Sequence, residues 1–92
     1  MAIETVPFDA AEFFQGDEAQ RDLLNDAFES GDARYVARAL GVVARARGMS
    51  DVAAKAGVTR EALYKALSDT GDPKLSTLMG VAKALGFRLQ LA

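Results

Sequence analysis

Apolar residues recur every three or four positions along most of this chain, the spacing that places them on one face of an α-helix. The clearest stripe comprises Ala33, Val36, Ala37, Leu40, Val43 and Ala44. A later stripe, which predicts the last helix, comprises Leu75, Leu78, Met79, Ala82 and Leu85. The pattern therefore predicts an all-α fold of five to six helices.

Capping residues and glycines set the predicted helix boundaries. The residues predicted to begin helices are Asp9 (for a short helix through Phe14), Gly16 or Asp17, Asp32, Ser50 and Thr59. The glycines predicted to end helices are Gly31, Gly48, Gly57 and Gly86. A turn is expected at residues 70–73, where Thr-Gly-Asp-Pro separates the last two helices.

The pattern changes after the last predicted helix. Phe87, Leu89 and Leu91 alternate with polar residues, which is the period of a half-buried β-strand. A single strand needs another to pair with, and the rest of the chain reads as helical, so its expected partner is a second copy. We therefore expect a homodimer with these three residues in its interface. The alternative is a tail that packs loosely on the core.

The composition limits the chemistry that this chain can perform. Its 92 residues are 50% hydrophobic and 26% charged, typical of a single globular domain over residues 1–92. It has no Cys and no His, which excludes thiolate and imidazole nucleophiles and Cys- or His-ligated zinc. We expect no metal, cofactor or small-molecule substrate, and no enzyme activity. The acidic pairs Asp17/Glu18 and Asp69/Asp72 fall at predicted helix ends and turns, where capping accounts for them.

The sequence shows neither of two signals that would direct a protein to or across a membrane. No apolar run approaches the roughly 18 residues of a membrane span. The N-terminus lacks the basic start and apolar stretch of a secretion signal. A cytoplasmic location without a membrane partner is therefore expected.

Charge is distributed unevenly along the chain, although the total is only −2. Residues 1–33 hold nine acidic side chains against one basic, a net charge of −8. Residues 34–92 hold ten basic side chains against four acidic, a net charge of +6. This asymmetry divides the domain into acidic N-terminal helices (1–33), a basic core (34–86) and a tail (87–92). It predicts two kinds of surface, of which the basic one suits a polyanion.

Residues 52–67 predict two short helices joined by a tight turn, the arrangement of a helix-turn-helix. Such a pair needs a small residue where the helices cross, here Ala53, and a residue that accepts positive φ in the turn, here Gly57. Apolar side chains must hold both helices on the core, and the candidates are Val52, Ala56, Val58, Leu63 and Leu67. The pattern therefore predicts a DNA-binding domain.

The second helix of this pair carries side chains suited to a DNA groove. Thr59, Arg60 and Glu61 open it, and residues at the start of a recognition helix reach base edges. An Arg can bind guanine with two hydrogen bonds, and a Glu can accept from cytosine. The remaining candidates, for thymine methyl groups or phosphates, are Tyr64, Lys65, Ser68 and Lys74. The alternatives are a solvated helical turn for Arg60 and Glu61, and packing on the core for Tyr64.

The region from Gly41 to Leu85 resembles the helix-turn-helix domain of the Cro/lambda-repressor family. The closer likeness, from Phe8 to about Leu91, is to the addiction-module antidote proteins, which are antitoxins of type II toxin–antitoxin pairs. The stretches that carry it are residues 29–32, 44–50, 57–68 and 78–86. The third, with Arg-Glu-Ala-Leu-Tyr-Lys-Ala-Leu, is the most specific. The family often has Gln where Asp51 stands, and an acid there is unfavourable beside phosphate.

The resemblance implies a lambda-repressor-like fold and a small dimer that represses its own operon by binding operator DNA. It also implies binding to a cognate toxin, typically a small basic ribonuclease, and the acidic N-terminal third would complement such a partner. Two alternatives stay open: a prophage or stand-alone repressor without a toxin, and a protein-interaction module that has lost DNA binding.

Overall fold

The regular structure of this protein is helical wherever it is described. The computed structural model describes residues 10–68 and 70–91. They form the 3₁₀ helix Ala10–Phe13 and the α-helices α1 (Asp17–Ser30), α2 (Ala33–Arg47), α3 (Met49–Ala56), α4 (Arg60–Ala66) and α5 (Leu75–Ala84). The predicted all-α fold is confirmed. Among these helices there is none with the length and apolar character needed to cross a membrane.

Two side chains begin helices where the sequence predicted them. The Asp32 carboxylate accepts hydrogen bonds from the backbone N–H groups of Arg34 at 2.9 Å and Tyr35 at 3.4 Å, at the start of α2. The Thr59 hydroxyl accepts from the backbone N–H of Ala62 at 3.0 Å, at the start of α4. Each oxygen satisfies a donor that has no partner within the helix.

The prediction that Ser50 begins α3 is wrong. Gly48 occupies the N-cap position of α3 and also ends α2, so that Met49 is already helical and Ser50 lies in the first turn. The φ of Gly48 is 105°, which lets the chain change direction at one residue. The short first helix is 3₁₀ over residues 10–13, and its predicted cap, Asp9, lies outside the described residues.

Side chains from all five α-helices form one core. Its largest fully buried members are Leu40, Val43, Leu63, Val81 and Leu85. The helices α2, α4 and α5 all pack against α3, and α1 packs on α2. The end of α4 also approaches α2 closely, because a Cβ at Gly41 would lie only 3.1 Å from the carbonyl oxygen of Leu67. This packing fixes α4 on the core by its apolar side and leaves its other side exposed.

The predicted C-terminal strand is wrong: residues 87–91 form no strand in the part of the chain that is described. Instead they follow the C-terminal end of α5, where backbone hydrogen bonds cap the helix. Phe87 donates its backbone N–H to the carbonyl of Ala82 at 2.9 Å, and Gly86, at φ 81°, donates to Lys83 at 3.0 Å. The ring of Phe87 packs against the core. An alternating pattern makes a strand only where another strand pairs with it, and the described residues offer none.

Candidate nucleic-acid interface

The helices α3 and α4 meet at a turn built on Gly57. This glycine has a φ of 77°, and the next residue, Val58, donates its N–H to the carbonyl of Ala53 at 3.0 Å. Val52 and Ala53 are each 2% exposed and Leu63 is fully buried. Val58 is half-buried against the same core. Of the five residues predicted as the scaffold of the helix pair, Gly57 and Val58 therefore lie in the turn, and Val52, Ala53 and Leu63 lie on the sides of α3 and α4 that face the core.

One face of α4 is exposed and carries most of the predicted DNA contacts. Arg60, Glu61, Tyr64 and Lys65 are all exposed on it, opposite the buried Leu63. The ring of Tyr64 is not packed into the core, since the residue is 43% exposed. Thr59, just before α4, is also exposed. These predicted contacts thus share one surface, which we call the α4 face.

Arg60 connects the α4 face to the start of α3. Its Nη1 donates to the hydroxyl of Ser50 at 3.3 Å, and its Nη2 donates to the hydroxyl of Tyr64 at 3.4 Å. The guanidinium carbon lies 5.5 Å from the centroid of the Tyr64 ring, within cation–π range. The hydrogen bond to Tyr64 raises the pKa of Arg60 above its ordinary value. An arginine is already positively charged at neutral pH without this shift.

Ser50 is the residue of this site that sequence reasoning missed. The sequence predicts Ser50 as a helix cap, whereas its hydroxyl accepts from Arg60, ten residues away on the next helix. The contact of Arg60 with Tyr64 follows from their i,i+4 spacing on one helix. No such rule relates Ser50 to Arg60, because their contact depends on how α3 and α4 cross.

The acid at the start of α3 is paired within its own helix. The carboxylate of Asp51 lies 3.3 Å from Nζ of Lys55, one turn further along α3. Both side chains are more than half exposed, so the pair adds little to stability. The pair places the ammonium group of Lys55 beside the Asp51 carboxylate and so reduces the local negative charge at the start of α3.

Two further predicted contacts lie after α4. Ser68 is half-buried, and its hydroxyl donates to the carbonyl of Lys65 at 2.9 Å. The chain then folds back closely, since a Cβ at Gly71 would overlap the carbonyl of Ala66. Lys74 is exposed and occupies the N-cap position of α5. Ser68 thus adjoins the α4 face, whereas Lys74 lies beyond the loop at the start of the next helix.

The acidic residues of the N-terminal third form a stripe on α1. Glu18, Asp22, Asp26 and Glu29 are all exposed, at intervals of four, four and three residues, which places them along one side of the helix. Asp26 accepts a hydrogen bond of 2.6 Å from the hydroxyl of Tyr35. That bond is the main cause of a raised pKa for Tyr35. The acidic stripe lies on a different helix from the α4 face.

Comparison with known proteins places this chain in a family. Residues 4–92 match the family described as "Probable addiction module antidote protein". The chain is also 44% identical over 84 residues to a protein of Haemophilus influenzae (strain ATCC 51907 / DSM 11121 / KW20 / Rd) described as uncharacterized. That alignment covers 91% of this chain and 87% of the other. No solved structure matches the chain significantly.

The chain therefore belongs to the family of addiction module antidote proteins. An antidote of an addiction module acts against a toxin, so membership implies in general terms an antitoxin role and a toxin partner.

Proposed function

We propose that this protein is a DNA-binding antitoxin that represses its own operon. In this proposal α3 and α4 act as a helix-turn-helix of the lambda-repressor type, with α4 lying in the major groove of double-stranded DNA. The observation that carries the proposal is the position of Arg60. Its guanidinium is held by Ser50 and Tyr64 at the junction of two helices, on an exposed surface.

An arginine held in this way is suited to reading a base. A guanidinium has five N–H donors, of which two are used by Ser50 and Tyr64. The others can bind O6 and N7 of guanine, the most common specific contact in the major groove. Because these two contacts favour one conformation of the side chain, it would lose less conformational entropy when it binds.

Neighbouring side chains complete the proposed contact. Glu61 can accept from N4 of cytosine. The proposed phosphate contacts, which set register and affinity rather than sequence, are Lys65, Ser68 and Lys74. A homodimer would present two α4 faces to half-sites about 34 Å apart, one turn of the double helix. Such a homodimer would recognise an operator with twofold symmetry.

The proposed toxin is a small basic protein. The acidic stripe on α1 supports this through charge complementarity, which speeds association and selects against acidic partners. The stripe and the α4 face are on different helices, so toxin binding and DNA binding would use different surfaces.

The DNA-binding part of the proposal is tested by titrating the protein against labelled 30-base-pair fragments that tile the region upstream of its own gene. Fluorescence anisotropy should show one fragment bound at least about a thousandfold more tightly than a shuffled sequence. Equal affinity for all fragments would contradict operator recognition. Absence of binding to any fragment at low salt would instead favour a protein-interaction module.

The antitoxin part is tested separately in cells. Expression of the adjacent reading frame should arrest growth, and co-expression of this protein should restore it. The Arg60→Ala variant is the matched control, because it should neutralise the toxin but fail to repress a reporter under the operator. Repression without any toxic neighbour would identify a stand-alone repressor and contradict the antitoxin role.

A further inference from the structure

A groove runs between α1 and the C-terminal tail, on surface to which α4 does not contribute. It encloses about 1020 Å³, and its apolar lining residues are Leu24, Phe28, Leu40, Ala82, Phe87, Leu89 and Leu91. Three of them are exposed: Phe28 at 37%, Leu89 at 44% and Leu91 at 100%. A chain of this size seldom leaves several large apolar side chains exposed together unless a partner covers them.

The polar lining of the groove is positively charged. Arg21, Lys83 and Arg88 line it, together with Asn25 and Gln90, and among residues 10–68 and 70–91 no acidic residue does. None of the three cations forms an ion pair with another residue that the structure describes. The groove therefore favours an occupant that brings both apolar side chains and negative charge.

Acidic side chains flank the same groove on α1. Asp22 lies three residues before Asn25, and Glu29 lies four residues after it, and both are exposed. Residues at these spacings are neighbours on a helix surface. A cationic groove and an acidic flank thus adjoin each other on one surface of the molecule.

We propose that this groove is the interface between two copies of the chain, in which Leu89 and Leu91 of each copy pack against α1 of the other. An interface with twofold symmetry uses the same surface twice and must therefore complement itself. Here Asp22 and Glu29 of each copy meet the cationic groove of its partner, and no β-strand is needed. Glu18 and Asp26 are then the part of the acidic stripe that remains available to a toxin. A basic toxin would instead meet three cations. The inference rests on the dimer in the proposed function and specifies its surface.

The test begins with sedimentation equilibrium of the full chain and of two double variants. L89D/L91D, which places charge in the interface, should weaken the dimer about tenfold or more. The matched control is L75D/M79D, which alters two residues of α5 that are 69% and 57% exposed and do not line the groove. This control should dimerise like the wild type.

A charge exchange tests the same surface without relying on loss of function. Arg88→Glu alone and Asp22→Lys alone should each weaken the dimer, because like charges then face each other across it. An equimolar mixture of the two variants should form a heterodimer with near wild-type affinity, since both acid–base contacts are restored. A variant that had simply misfolded would not be rescued by mixing.

The outcomes separate the inference from the proposal on which it rests. A wild-type chain that stays monomeric at all concentrations would contradict the dimer itself. A dimer unaffected by L89D/L91D, or disrupted by L75D/M79D alone, would overturn the groove as its interface. Loss of toxin binding in L89D/L91D with the dimer intact would likewise overturn it and assign the groove to the toxin.

Discussion

Nε of Arg47 donates a hydrogen bond of 2.8 Å to the side-chain oxygen of Gln20, which joins the end of α2 to the start of α1. Gln20 is 2% exposed, and its amide nitrogen donates in turn to the carbonyl of Phe14 at 2.7 Å. Nη1 of Arg47 donates to the carbonyl of Leu85 at 2.7 Å, beyond the end of α5. One guanidinium therefore connects three parts of the fold.

The first prediction concerns this connection. Arg47→Ala should lower the free energy of unfolding by about 2 kcal/mol, because it leaves the buried oxygen of Gln20 without a donor. Arg34→Ala, which removes an exposed arginine from the same helix, should change it by less than about 0.5 kcal/mol. Urea denaturation followed by circular dichroism measures both. Equal effects of the two substitutions would show that the connection has no special role.

The second prediction concerns the start of α4. Thr59→Ala should cost about 1 kcal/mol, because the N–H of Ala62 loses its capping oxygen. Thr59→Ser keeps a hydroxyl in the same position and should retain most of the stability. Urea denaturation curves give the free energy of unfolding of both variants. A Ser variant as unstable as the Ala variant would argue against the cap.

The third prediction is a titration. The chain has two tyrosines, so absorbance at alkaline pH in the Tyr64→Phe variant reports Tyr35 alone. The hydrogen bond from Tyr35 to Asp26 raises the pKa of Tyr35 above its ordinary 10.0. The midpoint should therefore lie above 10.0 and move back towards it when Asp26→Ala is added.

The same shift has a consequence for stability. A phenol whose pKa is raised by folding contributes stability that is fully present below pH 10.0 and is lost as the pH rises through the folded-state pKa. Tyr35→Phe should therefore remove a contribution that is measurable at neutral pH and absent at strongly alkaline pH. A midpoint in the Tyr64→Phe variant that does not respond to Asp26→Ala would refute this origin of the shift.

The fourth prediction concerns Asp51, whose charge is only partly offset by Lys55. Asp51→Gln removes a negative charge from the start of α3 and should tighten binding to a shuffled DNA fragment about threefold at low salt. Glu18→Gln removes a charge from α1 and serves as the control, with no change expected. A gain that persists undiminished at high salt would argue against an electrostatic cause.

Much of the helical framework could be predicted from the sequence because its signals are local. Asp32 and Thr59 each bond to N–H groups within three residues, and Gly57 meets a requirement for positive φ at one position. The buried stripes follow from helical periodicity. These features need no knowledge of how the helices pack.

The features that sequence reasoning missed depend on contacts between distant residues. Arg47 reads as a cation in the last turn of α2, yet its partners Gln20 and Leu85 lie 27 and 38 residues away. Ser50 is likewise predicted as a helix cap from its immediate neighbours, whereas its partner Arg60 lies ten residues away on the next helix. The strand was predicted from five alternating residues, and that pattern is equally compatible with a tail whose first residue closes α5.

The central claim is that Arg60 reads a base in the operator, and its most direct test is the ratio of affinities for the operator and for a shuffled fragment. Arg60→Ala should reduce that ratio roughly 5- to 150-fold, which corresponds to a loss of about 1–3 kcal/mol in discrimination between the two fragments. Lys74→Ala should weaken binding to both fragments alike and lower the salt slope by about 1. An Arg60→Ala variant that keeps the wild-type ratio, measured by anisotropy at fixed salt, would contradict the account.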